Sequence, residues 1–512
     1  MSAEEGPAPA PGAWQRLDWR VILISGLFGG GLSLGSFVPV AAVVTDRLPL
    51  GQAFLVLPAW FLLPVLGGAG VGFVRWWRTR YRLGSERAAL HTGVLLVKRR
   101  SLARERIRSV DLTAHLLLRL LGLVKVRIGT GEQSGGGEST LELDPVTRAE
   151  GERLRRELLD RQETADGVPH EDGELAVLDP AWIRYAPLSF VAPLLGGAAV
   201  GGVLQVSEWF GVQGEVIDWI GGVFRDTPLL WFVAALAAAA LVAGAAGALA
   251  VWVEMWWNYR LEREPGGTLR LRRGLLTARS LTIEERRLRG VALVEPLGIR
   301  LCGAARVDAI ATGLVQGKDD ERDSHKTLLP AAPRPAAETV AGRVLKGEGG
   351  ALRAPLTPHP RAARGRRLRW ALTAASAPVL GLVAAGALLQ LPVLLYAALG
   401  SALALLPLAV LLALDAYRNL GHGIDGPHLL ARSGTVRRTT VALQRGGVIG
   451  WTVKQTYFQR RAGLLTLTAT TAAGDGAYEI PDADETEGLR FAADAVPGLL
   501  EPFLERHASQ AK

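Results

Sequence analysis

Five stretches of the chain carry no charged residue: Val21 to Val44, Leu50 to Val74, Tyr185 to Ser207, Thr227 to Val253 and Trp370 to Leu414. A helix of about 20 apolar residues crosses the hydrocarbon core of a bilayer, so the first four stretches suffice for one crossing each and the fifth for two. The fifth breaks at Gln390-Leu391-Pro392, where proline removes a backbone donor and favours a tight turn. The pattern predicts six membrane-spanning helices arranged as three hairpins. A soluble protein with buried helices fits poorly, because soluble helices seldom stay uncharged on every face for this long. The leader, Met1 to Arg20, opens with Glu4 and Glu5 and is rich in Pro and Ala, unlike the basic start of a cleaved signal, so the first span is expected to stay in place. Glycines four residues apart, Gly31 and Gly35, Gly68 and Gly72, and Gly197 and Gly201, offer points of close helix approach.

Between and after the apolar stretches lie three polar blocks, Arg75 to Arg184, Glu254 to Arg369 and Asp415 to Lys512, each the size of a small domain. They repeat one another. Each opens with a tyrosine (Tyr81, Tyr259, Tyr417), then a glycine at a predicted hairpin turn (Gly93, Gly274, Gly434), and then a second glycine 29 positions later (Gly122, Gly303, Gly463). The columns between agree without gaps: Ile107, Leu288 and Val448; Val110, Val291 and Trp451; Leu112, Leu293 and Val453. Past the second glycine, Val124/Val126/Ile128, Ala305/Val307/Ala309 and Leu465/Leu467/Ala469 alternate with polar residues, the period of a half-buried strand. Each block ends in a helix-compatible stretch. In the first block Asp144-Pro145 is the expected N-cap and first turn, and Pro335 to Lys346 and Pro481 to Leu504 are its counterparts. The resulting division is a leader (1–20), hairpin 1 (21–74), domain 1 (75–162), a linker (163–184), hairpin 2 (185–253), domain 2 (254–348), a basic linker (349–369), hairpin 3 (370–414) and domain 3 (415–512).

Charge supplies the orientation. Arg75, Arg78, Arg80 and Arg82 follow the second span, and Arg361, Arg364, Arg366, Arg367 and Arg369 precede the fifth, which places those flanks in the cytoplasm. The connection from Glu208 to Asp226 is acidic and suits the outer side. The soluble blocks and both termini are then expected on the cytoplasmic side of a cytoplasmic membrane. Composition agrees: 49% hydrophobic residues exclude intrinsic disorder, and a single cysteine, Cys302, excludes a disulfide scaffold or a thiolate metal site.

The first block also carries a resemblance. Tyr81-Arg82-Leu83, Thr92-Gly93-Val94-Leu95, Ser101-Leu102-Ala103-Arg104-Glu105-Arg106-Ile107-Arg108-Ser109-Val110-Asp111 and Leu117-Leu118-Arg119-Leu120-Leu121-Gly122-Leu123 resemble the bacterial pleckstrin-homology (PH) domain of the membrane-flanked kind, in its long form with three copies. The second block keeps Tyr259-Arg260-Leu261, Arg279-Ser280-Leu281-Thr282-Ile283 and Gly290-Val291, and the third is related chiefly through the repeat. The resemblance implies an α-helical membrane protein with three α+β PH-like domains, each a partly open antiparallel barrel capped by a C-terminal helix. It implies neither catalytic residues nor a cofactor.

No other chemistry stands out. The eight histidines, His91, His115, His170, His325, His359, His422, His428 and His507, lack paired helical spacing and are expected to be ordinary surface residues. Gly313 to Asp319 is one residue short of a phosphate loop and lacks its hydroxyl residue, and no nucleophile elbow is present. Net charge of +9 is the stronger signal. Arg78, Arg80, Lys98, Arg99, Arg100, Arg104 and Arg106 form a candidate contact set for anionic phospholipid headgroups. The positive-inside bias alone is an equal explanation for those nearest the membrane. Aromatic residues do not interleave with the basic ones, which argues against nucleic acid. The expected function is non-enzymatic: docking or assembly at the inner leaflet with possible phospholipid contact. The alternatives are a scaffold that binds its own copies or a smaller PH-like membrane protein, and a transporter accessory subunit.

Overall fold

The computed structural model describes residues 14–84, 86–93, 97–107, 109–129, 140–159, 173–188, 191–225, 227–264, 267–312, 326–346 and 351–500. Two compact units divide between Glu285 and Arg286.

The first unit begins with β1 (Gln15–Arg16), followed by the helices α1 (Val21–Gly35), α2 (Phe37–Arg47) and α3 (Leu50–Arg78). Then come β2 (Arg80–Leu83), β3 (Arg87–Thr92), β4 (Lys98–Ala103), β5 (Ser109–Ala114), α4 (Leu116–Leu120), β6 (Leu123–Gly129), β7 (Thr140–Thr147) and α5 (Arg148–Leu159). A second round starts with β8 (Gly173–Val177), the helices α6 (Val191–Trp209), α7 (Gln213–Val223) and α8 (Leu229–Trp256), and β9 (Arg260–Glu264), β10 (Thr268–Arg273) and β11 (Ala278–Glu284). β1 to β4 form a four-stranded sheet in that order. A seven-stranded sheet runs β7-β6-β5-β11-β10-β9-β8.

The second unit continues the series with β12 (Leu288–Pro296), α9 (Leu297–Leu301), β13 (Ala304–Ala311), β14 (Thr327–Pro333) and α10 (Arg334–Val344). Its third round is β15 (Thr357–Pro358), the helices α11 (Arg361–Leu389) and α12 (Pro392–Arg418), β16 (Gly421–Asp425), β17 (His428–Ser433), β18 (Arg437–Gln444), β19 (Val448–Lys454), α13 (Tyr457–Arg461), β20 (Leu464–Thr471), β21 (Ala477–Asp484) and α14 (Glu485–Ala495). One sheet runs β14-β13-β12-β18-β17-β16-β15, and β19-β20-β21 form a three-stranded sheet.

One series of elements thus recurs three times: three strands, a strand with a five-residue helix, two strands and a closing helix. The two glycine columns carry it. Gly93, Gly274 and Gly434 have φ of 122°, 111° and 103°, and Gly122, Gly303 and Gly463 have 69°, 68° and 64°. A Cβ at Gly274 would sit 1.9 Å from the Thr277 carbonyl oxygen, so the hairpin turn admits no side chain there. Alternation then buries one face of each strand. Tyr81, Leu90, Val110, Val126, Ile128, Leu141 and Leu154 pack into the core of the first series, and Leu429, Leu443, Leu465, Leu467, Ile480 and Phe491 into that of the third.

Several expectations change. α3, α8, α11 and α12 are long and apolar enough to cross a membrane, and a bent pair, Pro180–Leu188 with Ala192–Glu208, makes a fifth candidate. The stretch from Val21 to Val44 is not one helix: it breaks between α1 and α2 at Gly35-Ser36, a pair that commonly kinks helices. The expected break in the third hairpin is where it was predicted, with Gln390 left-handed and Pro392 opening α12. Gly68 and Gly72 lie against α1, where a Cβ on Gly68 would meet the Ser25 carbonyl oxygen at 2.3 Å. Gly31, Gly35, Gly197 and Gly201 face open space, and Gly29, Gly196 and Gly244 make the close approaches instead. Asp144-Pro145 does not cap a helix. It lies within β7, and Thr147 accepts the Glu150 amide at the start of α5. The acidic connection after α6 holds α7. The segments read as leader and linkers contribute strands: β1 pairs with β2, β8 with β9 and β15 with β16.

Candidate functional site

The basic residues are sorted by the four-stranded sheet. Register places Arg16 opposite Arg80, Arg80 opposite His91 and His91 opposite Arg99. Residues directly opposite in antiparallel strands share a face, so these four form one row across β1 to β4. Arg82 stands two residues from Arg80 on the same face. Trp14 lies at its edge, its ring 4.3 Å from that of His91 and 5.2 Å from the Arg82 guanidinium carbon, while Arg16 lies 5.4 Å from the Trp76 ring. Arg16, Arg80, Arg82 and Arg99 are exposed, and none has an acidic partner among the described residues.

α3 delivers this face to the membrane boundary, because β2 starts two residues after Arg78 ends the helix. A groove of about 600 Å³ lies at the join, lined by Leu17, Gly70, Val71, Val74, Arg75, Arg78 and residues of the adjoining strands. Its lining is chiefly apolar. Arg75 is tied to Asp144 by an ion pair of 3.2 Å, whereas the Arg78 guanidinium lies 5.1 Å from the Trp77 ring.

The seven basic residues picked out in the sequence are therefore not one cluster. Arg80 and Arg99 share the row, and Arg78 lines the groove. Lys98 and Arg100 lie on β4, Lys98 exposed and Arg100 half-buried. The Arg104 guanidinium turns inward to the Gly84 carbonyl (3.2 Å) and to Glu157, so it ties the domain together. The side chain of Arg106 lies outside the described residues. Sequence reasoning missed Arg16 and His91, which join the set only through strand pairing.

The joints between successive series form a second arrangement with a repeated geometry. At the first, Ala114, Thr113 and Leu112 of β5 face Ala278, Arg279 and Ser280 of β11. At the second, Glu295, Val294 and Leu293 of β12 face Arg438, Thr439 and Thr440 of β18. Counted from the turn glycine of each series, the two joints have the same register. Both are locked by ion pairs with one buried and one half-buried member. Arg155 of α5 meets Glu264 of β9 at 2.8 Å, and Arg270 meets Glu152 at 2.7 Å and Glu264 at 2.9 Å. Glu295, 1% exposed, receives two bonds from Arg438, at 2.7 and 2.6 Å.

The histidines depart furthest from expectation. His359, His422 and His428 are buried. His359 and His422 join ring to ring at 3.0 Å, with the Asp482 carbonyl 3.0 Å from one end and a Glu487 carboxylate oxygen 3.0 Å from the other. Two residues that seemed unrelated, 63 positions apart, are brought together because the segment before hairpin 3 pairs with the strand after it. The buried Asp482 carboxylate is held by Arg366 and Arg367, at the start of α11. The loop-like segment from Gly313 to Asp319 lies outside the described residues.

Comparison with known proteins agrees with this architecture. The family model for the bacterial PH domain matches residues 33–162 and 375–494. The chain is 21% identical over 448 residues to the UPF0699 transmembrane protein YdbT of Bacillus subtilis (strain 168), a match covering 81% of this chain and 84% of that one. No solved structure matches. With its apolar helices and its recurring strand-and-helix series, the chain carries the bacterial PH domain over the two matched regions and is a membrane protein.

Proposed function

We propose that this is a non-enzymatic, multi-pass protein of the bacterial cytoplasmic membrane, with six spans in three hairpins and both termini in the cytoplasm. Its three PH-like domains serve as docking modules at the inner leaflet, and the first contacts anionic phospholipid. The observation that carries this reading is the row Arg16, Arg80 and Arg99, with Arg82 beside it. It has no carboxylate partners among the described residues, is edged by Trp14 and Trp76, and adjoins the end of an apolar helix. Guanidinium groups bind phosphate through paired hydrogen bonds, and tryptophan favours the headgroup level. The groove at Gly70, Val71 and Val74 suits an acyl chain whose headgroup would meet Arg78.

The test uses the full chain in detergent, titrated with short-chain anionic or zwitterionic phospholipid at low and high salt. Each basic residue near an anionic surface contributes about 1 kcal/mol, so Arg16→Gln with Arg80→Gln and Arg82→Gln should lower anionic-lipid affinity at least tenfold. Arg460→Gln with Arg461→Gln, on exposed residues of α13, should not change it. Equal affinity for both lipids, unaffected by salt, would remove the lipid reading.

A second reading, assembly, is favoured by a separate observation. Successive series share sheets, so strand pairing is already the means by which one series holds the next.

A further inference from the structure

The sheets leave a remainder. Each seven-stranded sheet combines the last three strands of one series with four strands that open the next: β5 to β7 with β8 to β11, and β12 to β14 with β15 to β18. Among the described residues, the first series has four opening strands, β1 to β4, with no closing strands in their sheet. The third has closing strands, β19 to β21, with no opening strands joined to them. Among the described residues β4 ends one sheet and β19 ends the other.

Burial marks both edges as the uncovered halves of a joint. On the closing side, Leu112 and Leu293 are 6% and 1% exposed, and their counterpart Val453 is 41% exposed. On the opening side, Thr282 and Ala442 are 1% and 0% exposed, whereas their counterpart Ser101 is exposed. Val97, just before β4, is 56% exposed.

Resting on the assembly reading, we propose that β19 of one copy pairs antiparallel with β4 of a second copy, in the register of the two joints within the chain. Carrying that register over puts Lys454 opposite Lys98, Val453 opposite Arg99 and Thr452 opposite Arg100. The product is a third seven-stranded sheet, β1-β2-β3-β4 followed by β19-β20-β21 of the neighbour. Because the two surfaces differ, the contact is head-to-tail and propagates unless the rotation closes a ring. Charged edge residues commonly discourage such pairing, and Lys98 opposite Lys454 is one unfavourable pair. The surroundings offset it. Lys454 reaches across β20 to Glu479 on β21, 4.0 Å away, so its charge is drawn back from the edge where β4 would arrive. The Arg99 stem can cover Val453, as Ser280 and Thr440 cover Leu112 and Leu293.

The register makes the proposal testable by charge reversal in the full chain, with mass measured against concentration in detergent. Lys454→Glu and Lys98→Glu should each strengthen association roughly fivefold by turning a like-charge pair into an opposite one, and combining them should return it to the parent level. In the Cys302→Ser background, oxidation of a mixture of Lys98→Cys and Lys454→Cys chains should join two chains. Lys98→Cys mixed with Ile449→Cys should not cross-link. A chain that stays monomeric and never cross-links overturns the proposal. So does a disulfide formed within one chain carrying both cysteines, at unchanged mass. Association indifferent to both reversals overturns this pairing while leaving the assembly reading in place. Lipid affinity, read on Arg16, Arg80 and Arg82, stands apart from all of these outcomes.

Discussion

At the scale of the residue, two buried titratable groups give the molecule opposite responses to pH. Burial pushes the Asp111 carboxyl up to about 7, against a smaller pull downward from Arg127. One of its oxygens has no hydrogen-bond partner among the described residues. Because the folded state holds this proton more tightly than the unfolded chain, stability contributed here is full below pH 4 and is lost as pH rises toward 7. Asp111→Asn should remove that slope, by an amount on the order of 4 kcal/mol, in thermal unfolding followed across this range. His359 runs the other way. Burial and then the neighbouring His422 lower it to about 4, so its contribution is full above pH 6.5 and is lost as pH falls toward 4. Acid should therefore loosen the ring-to-ring contact of His359 with His422, and His359→Gln should flatten the acid limb of the melting profile. Of these residues the sequence marked none. A histidine's burial depends on what packs over it, and the strand that covers His359 lies beyond a whole hairpin. The turn glycines were legible because a positive φ leaves a visible mark, glycine itself, at fixed spacing.

At the scale of the element, the strands with strong alternation and the long apolar helices were readable from local pattern, and the shortest strands were not. β1 and β15 have two residues each, too few for any periodicity, and exist only through their pairing with β2 and β16. The cross-series joints were likewise hidden, since no local signal says which strand a β5 or β12 edge will meet. Their energetics can be checked directly. Arg438→Ala would leave Glu295 buried with Arg334 at 3.8 Å as its remaining ion-pair partner, and should cost about 3 to 5 kcal/mol in denaturant unfolding. Replacing both residues by apolar ones of similar volume should restore most of it. In the membrane hairpins, Gly244→Leu would drive a side chain into the Ala192 carbonyl, where even a Cβ would sit 2.1 Å away. The α6 and α8 helices should then separate, lowering the melting temperature of the detergent-solubilised protein while an equivalent change at Gly201, which faces open space, leaves it unchanged.

At the scale of the whole molecule, the three series are not beads on a string. The middle one lends its opening strands to one compact unit and its closing strands to the other. A block cut out at the domain boundaries read from sequence would leave the β5 backbone edge without its partner β11, so excised domains should aggregate or melt well below the full chain, a difference that light scattering during heating would reveal. The pairing of β1 with β2, β8 with β9 and β15 with β16 across each hairpin also dictates an order of manufacture. During synthesis the first strand of every such pair leaves the ribosome before the helices, and its partner only after them. On the hairpin topology proposed above, no opening sheet can close until the intervening helices have been delivered to the lipid. Insertion thus acts as the checkpoint for folding outside it, and a chain stalled in translocation would hold its soluble parts open to quality-control proteases.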